Sequence, residues 1–125
     1  MDGNSLTAGD AVSDSNTGVI TCHSGNPLTS GTGNSWSSAS AMLFESAGAS
    51  SACYLNNFTT ALMTGNAGSN TIDSISLGCH SLQFGGGSAW QGPMAEVIAF
   101  NGTLTSWQKS LLRRYLNNRY ALSIT

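Results

Sequence analysis

Apolar positions are unevenly spread along this chain. Residues 1–35 are turn-rich and weakly apolar, with one strand predicted at Gly18 to Cys22 by the β-branched Val19, Ile20 and Thr21. Ser24 to Ser38 is rich in Gly, Ser, Thr and Asn, contains Pro27, and reads as a long loop. Ala39 to Glu45 and Ser51 to Asn56 then read as two strands, joined by a hairpin turn at Ala47-Gly48-Ala49-Ser50. Phe58 to Thr64 is a third candidate strand, ended by Gly65-Asn66-Ala67-Gly68. Thr71 to Leu77 alternates, with Ile72, Ser74 and Ser76 on one face and Asp73, Ile75 and Leu77 on the other. Gly85-Gly86-Gly87 reads as a loop. Met94 to Phe100 is nearly all apolar, the pattern of a central strand buried on both faces.

After the turn at Asn101-Gly102 the period changes to that of a helix, predicted over 105–119. Thr105 is the N-cap and Gln108, three residues on, completes a capping box. Trp107, Leu111, Leu112, Tyr115 and Leu116 form one apolar stripe expected to pack on the sheet. Lys109, Arg113 and Arg114 are assigned to the opposite, solvated face. Arg113, Arg114 and Arg119 also lie towards the C-terminal end, where cations suit the helix dipole.

The 125 residues suit one domain with one core, spanning 1–125. Four Lys+Arg face six Asp+Glu, and all four cations lie on the predicted helix. No basic stripe with interleaved aromatics exists, so no nucleic-acid partner is expected. No apolar run is long enough to cross a bilayer, so no membrane insertion is expected. A basic start followed by an apolar stretch is missing, so no signal peptide is read; a mature chain, another export route or a fragment each fits. Three cysteines, Cys22, Cys53 and Cys79, allow at most one internal disulfide; the simpler reading treats them as small buried apolar residues.

The order of motifs in the last third resembles the close of laminin-G-like, concanavalin A-like jelly-roll domains. The matching residues are Gly92, Ala95, Glu96, Val97, Ile98, Phe100, Asn101, Leu104, Tyr115, Leu116, Arg119 and Tyr120. Tyr54-Leu55-Asn56-Asn57 and Ile75-Ser76-Leu77-Gly78-Cys79 resemble two internal strands of that family, so the likeness covers about Trp36 to Ile124. It implies an all-β fold, an antiparallel β-sandwich with a C-terminal amphipathic α-helix. The family carries more strands before this region than residues 1–35 supply. The sandwich is therefore either compact or incomplete, and an incomplete one needs self-association or a partner domain to complete the sheet.

Other residues carry candidate chemistry. Asp2-Gly3-Asn4-Ser5-Leu6-Thr7-Ala8-Gly9 resembles the first block of the SGNH ester hydrolases. That resemblance implies Ser5 as nucleophile and Gly9 as an oxyanion donor, with His23 or His80 as the only available base. The block lacks a preceding strand, and neither His has an Asp three residues before it. Cys22-His23 and Cys79-His80 bring zinc to mind, but neighbouring strand residues face opposite ways, so no metal is expected there. Asp10 and Asp14, placed in a loop, form the alternative calcium site, against a turn-forming role. Glu96 is read as structural, paired with a backbone group or an Arg of the helix. Trp36 and Trp90 beside Gly/Ser-rich loops, with Asn56 and Asn57, offer the flat apolar faces and amides that sugar rings use. Asn57-Phe58-Thr59 and Asn101-Gly102-Thr103 fit the N-glycosylation pattern.

The sequence thus points to a non-catalytic carbohydrate-binding or adhesion and assembly module of a secreted or phage structural protein, extracellular or virion-associated, needing no cofactor. The alternative is a small serine ester hydrolase built on Ser5.

Overall fold

A computed structural model describes residues 10–14, 19–34, 38–69 and 93–125. The expectations on Ser5, Gly9, Trp36, Cys79, His80, Trp90, Thr71 to Leu77 and Gly85 to Gly87 lie outside the described residues.

Among the described residues, six antiparallel strands form two three-stranded sheets, followed by one helix. β1 (Asp10–Asp14), β2 (Ile20–Ser24) and β3 (Pro27–Thr29) make the first sheet, in that order. β4 (Met42–Glu45), β5 (Ser51–Leu55) and β6 (Met63–Gly65) make the second, also in sequence order. The helix α1 spans Ser106–Tyr120. The β-rich reading with a C-terminal helix therefore holds. β1 and β3, both assigned to turns and loops from sequence, are strands because β2 pairs with each, Cys22 facing Val12 on one side and Leu28 on the other.

The middle layer is the second sheet. Its register pairs Met42 with Leu55, Leu43 with Tyr54, Phe44 with Cys53 and Glu45 with Ala52. Cross-strand partners share a face and successive residues alternate. Met42, Phe44, Cys53, Leu55 and Met63 accordingly pack against Ile20, Cys22 and Leu28 of the first sheet. Leu43, Ala52 and Tyr54 pack the other way, with Ala41, Phe58 and Ile124, against Leu104, Leu112, Leu116 and Leu122. A strand with apolar neighbours on both sides needs apolar side chains on both faces, which explains the unbroken Met42-Leu43-Phe44 run.

The connections are fixed by local hydrogen bonds. The turn between β4 and β5 contains a single 3₁₀ turn, Gly48–Ser50, and the buried Ser51 hydroxyl closes it, accepting from Ala47 N at 3.0 Å and donating to Gly48 O at 2.8 Å. The third predicted strand is shortened to Met63–Gly65 because residues 57–60 turn instead. Asn57 Oδ1 accepts from Thr59 N, Thr59 Oγ1 and Thr60 N at 2.7–2.9 Å, which folds the backbone away from an extended path. Beyond β6, the buried Ala67 carbonyl accepts from Ser24 N at 2.6 Å and Asn26 N at 2.9 Å, joining the end of the second sheet to the β2–β3 turn.

The helix starts as its sequence dictates. Thr105 and Gln108 exchange both capping-box bonds. It ends at Ala121, which adopts a left-handed conformation with φ 52°. The chain then turns back, and Asn117 grips Ile124 through Oδ1 accepting from Ile124 N (2.9 Å) and Nδ2 donating to Ile124 O (3.0 Å). Phe58 N donates to Thr125 O and Thr125 N to Asn56 O, so the tail lies along residues 56–58.

Two further expectations fail. Met94 to Phe100 forms no strand, and Met94, Val97, Ile98 and Phe100 are 41–49% exposed. An apolar run becomes a strand only when a neighbour supplies ladder hydrogen bonds, and none does so among the described residues. The helix stripe is also rotated from the predicted one. Leu112 and Leu116 reach the core, whereas Trp107 is 69% exposed and Leu111 and Tyr115 remain on the outer side.

Candidate functional site

Polar contacts join the α1-facing side of the second sheet to the helix and its cap. Glu45, at the end of β4, is 8% exposed, so its carboxylate requires partners. Oε1 accepts from Leu104 N at 2.9 Å, just before the helix cap. Oε2 accepts from Lys109 Nζ at 2.6 Å, and the same ammonium donates to Tyr54 OH at 2.6 Å. Lys109 is thus not on a solvated face. Its ammonium lies 4.1 Å from the centroid of the Tyr54 ring and its side chain is 15% exposed. Burial alone would depress its pKa, but the hydrogen bonds and charge of Glu45, with the Tyr54 hydroxyl, outweigh burial and raise it.

Beside this triad a cleft of about 330 Å³ opens between β5, the 57–60 turn and the first turns of α1. Tyr54, Phe58 and Thr59 form one wall, and Ser106, Lys109, Ser110 and Arg113 the other. The helix residues recur three and four apart, which places them on one face. Four hydroxyls both donate and accept, and the two cations only donate. Arg113 makes no ion pair among the described residues. The lining contains no carboxylate, imidazole or thiol.

Asn56 and Asn57, the amides read as sugar-binding, stand behind this wall. Asn56 Oδ1 accepts from Ala41 N at 2.8 Å and its Nδ2 donates to Ser40 Oγ at 3.2 Å, in a left-handed conformation at φ 54°. Asn57 orders the turn that seats Phe58 in the core and presents Thr59 to the cleft.

On the other side of α1, Phe100, Leu104, Gln108, Leu111, Leu112 and Tyr115 line an apolar groove of about 290 Å³. Glu96 adjoins it and accepts from Tyr115 OH (2.9 and 3.1 Å) and Tyr120 OH (3.0 Å). Arg119 Nε lies 3.8 Å from Glu96 Oε2, so the helix arginine expected to pair with this carboxylate is present, alongside two phenols. Hydrogen bonding to the Glu96 carboxylate pushes the Tyr115 phenol pKa up.

His23 lies buried in β2, paired in register with Ala11 and Pro27. Asp10 and Asp14 occupy the two ends of β1 rather than a loop, about 13 Å apart along an extended strand. Among the described residues, no three His, Cys, Asp or Glu side chains gather as a metal site. Sequence reasoning missed Tyr54, Lys109 and Arg113. The one usable signal was their common approach to the helix N-terminal half, which needs the fold to become visible.

No protein-family model matches the chain, and no curated protein or solved structure matches it either.

Proposed function

We propose that this chain is a non-catalytic binding module of adhesion or assembly type, from a secreted or phage structural protein, and that its ligand is an acidic glycan. The carrying observation is the cleft of Tyr54, Thr59, Ser106 and Ser110 hydroxyls with Lys109 and Arg113. A sugar ring presents hydroxyls that pair with such a wall, and Arg113 suits a carboxylate or sulfate in bidentate fashion. Lys109 is already committed to Glu45, leaving Arg113 as the cation open to a ligand.

The proposal includes a sandwich of concanavalin A-like type. Face-to-face packing of the two sheets around Ile20, Cys22, Cys53 and Met63 supports it. It also includes a second copy of the chain that completes a sheet edge. The exposed Met94, Val97, Ile98 and Phe100, close together along the chain, support that part, because exposed apolar surface marks association.

Calorimetric titration with a uronic-acid oligosaccharide and its neutral counterpart tests the reading. Binding of the acidic sugar alone, weakened about tenfold in Arg113→Gln, is expected. No binding of either sugar overturns it. Light scattering tests the second copy, and a strictly monomeric, stable protein removes that part.

A further inference from the structure

Cys22 lies in β2 of the first sheet and Cys53 in β5 of the second, and both are fully buried. They belong to one buried cluster with Ile20 and Met63, between the two sheets, and both thiols are free. The sheets approach closely beside them, where a Cβ placed on Gly65 would meet Leu28 Cδ1 at 3.0 Å. A third cysteine, Cys79, gives the chain competing pairings.

We propose that Cys22 and Cys53 are the two halves of an intersheet disulfide, formed by exchange with a small-molecule disulfide while the chain folds. The thiolate of one cysteine attacks a sulfur of the oxidant, whose S–S bond breaks and releases one small thiolate. The second cysteine then attacks the resulting mixed disulfide and expels the other small thiolate. Two protein thiols are oxidised, the oxidant takes up the two electrons, and two protons pass to solvent.

Timing follows from the surroundings. The Cys53 thiol and burial push the Cys22 thiol pKa well up, which keeps Cys22 protonated, and burial hides both side chains from reagents. Exchange therefore takes place while the sheets are still open. Once formed, the bond ties the two sheets at the centre of their shared core and removes freedom from the unfolded chain.

The test refolds the reduced full-length chain in a glutathione redox buffer, blocks residual thiols and maps the peptides by mass. A Cys22–Cys53 linked pair, blocked Cys79 and a mass lower by two hydrogens are expected. The melting temperature should exceed that of the reduced protein by on the order of 10 °C. Cys79→Ser should still form the bond, and Cys53→Ser should not. A bond that uses Cys79, or three thiols that all remain blockable after oxidative refolding, overturns the proposal.

Discussion

Glu45 and Lys109, 64 positions apart in sequence, meet at 2.6 Å between the second sheet and the first turns of α1. Their contact fastens the helix start to β4, and Lys109→Met leaves a buried carboxylate without its cation. The expected cost is about 3 kcal/mol, measured by urea unfolding. The raised Lys109 pKa fixes the pH dependence. A group whose folded pKa lies above its unfolded value stabilises fully below the unfolded value, here 10.5, and loses that contribution as pH rises through the folded one. The stability gap between wild type and Lys109→Met should be constant near neutrality and shrink in strong alkali. A gap that grows with alkali would refute the pairing.

Gly68 sits where the chain passes the β2–β3 turn. At φ 91° its Cβ position would fall 2.0 Å from Ser24 O and 2.8 Å from Asn26 N. Both obstacles are backbone, which cannot rotate aside. Gly68→Ala should destabilise by about 3 kcal/mol or more. Gly48, at φ 58° with open space around it, is the control, and Gly48→Ala should cost only about 1 kcal/mol. Equal losses at the two sites would contradict the close approach at Gly68.

Ala121 ends α1 in a left-handed conformation that glycine adopts without a Cβ clash. Ala121→Gly should therefore raise stability by about 0.5–1 kcal/mol despite the freer unfolded chain. A fall in melting temperature would show that the cap carries no strain.

The two sides of α1 should respond differently. Leu112 packs on the inner cluster, so Leu112→Ala should cost about 2 kcal/mol. Trp107, 69% exposed, should change stability by less than about 0.5 kcal/mol on truncation. Chemical denaturation of both variants decides between this orientation and the stripe predicted from helical spacing.

The helix was legible because its signals are local: Thr105 and Gln108 make a capping box three residues apart whatever the remainder of the chain does. The hairpin of β4 and β5 was legible for a similar reason, two apolar runs flanking a short small-residue turn. β1 and β3 were not. Asp10-Ala-Val-Ser-Asp and Pro27-Leu-Thr have little strand character of their own and owe it to their register with β2. The same dependence on partners explains the misreading of Met94 to Phe100, whose apolar character could not specify a neighbour. Lys109 looked solvated because Glu45 and Tyr54, which hold it, lie far upstream. The candidate cleft was hidden for that reason too, since its two walls come from distant stretches.

The Ala67 carbonyl has a bearing on how the protein opens. By accepting from both Ser24 and Asn26, it ties the end of one hairpin to the corner of another. Neither sheet can separate locally without giving up these bonds and uncovering the cluster around Cys53. The amides of Ser24 and Asn26 should then exchange with deuterium at the rate of the slowest strand amides rather than that of ordinary turns, making the β2–β3 corner part of the last unit to come apart.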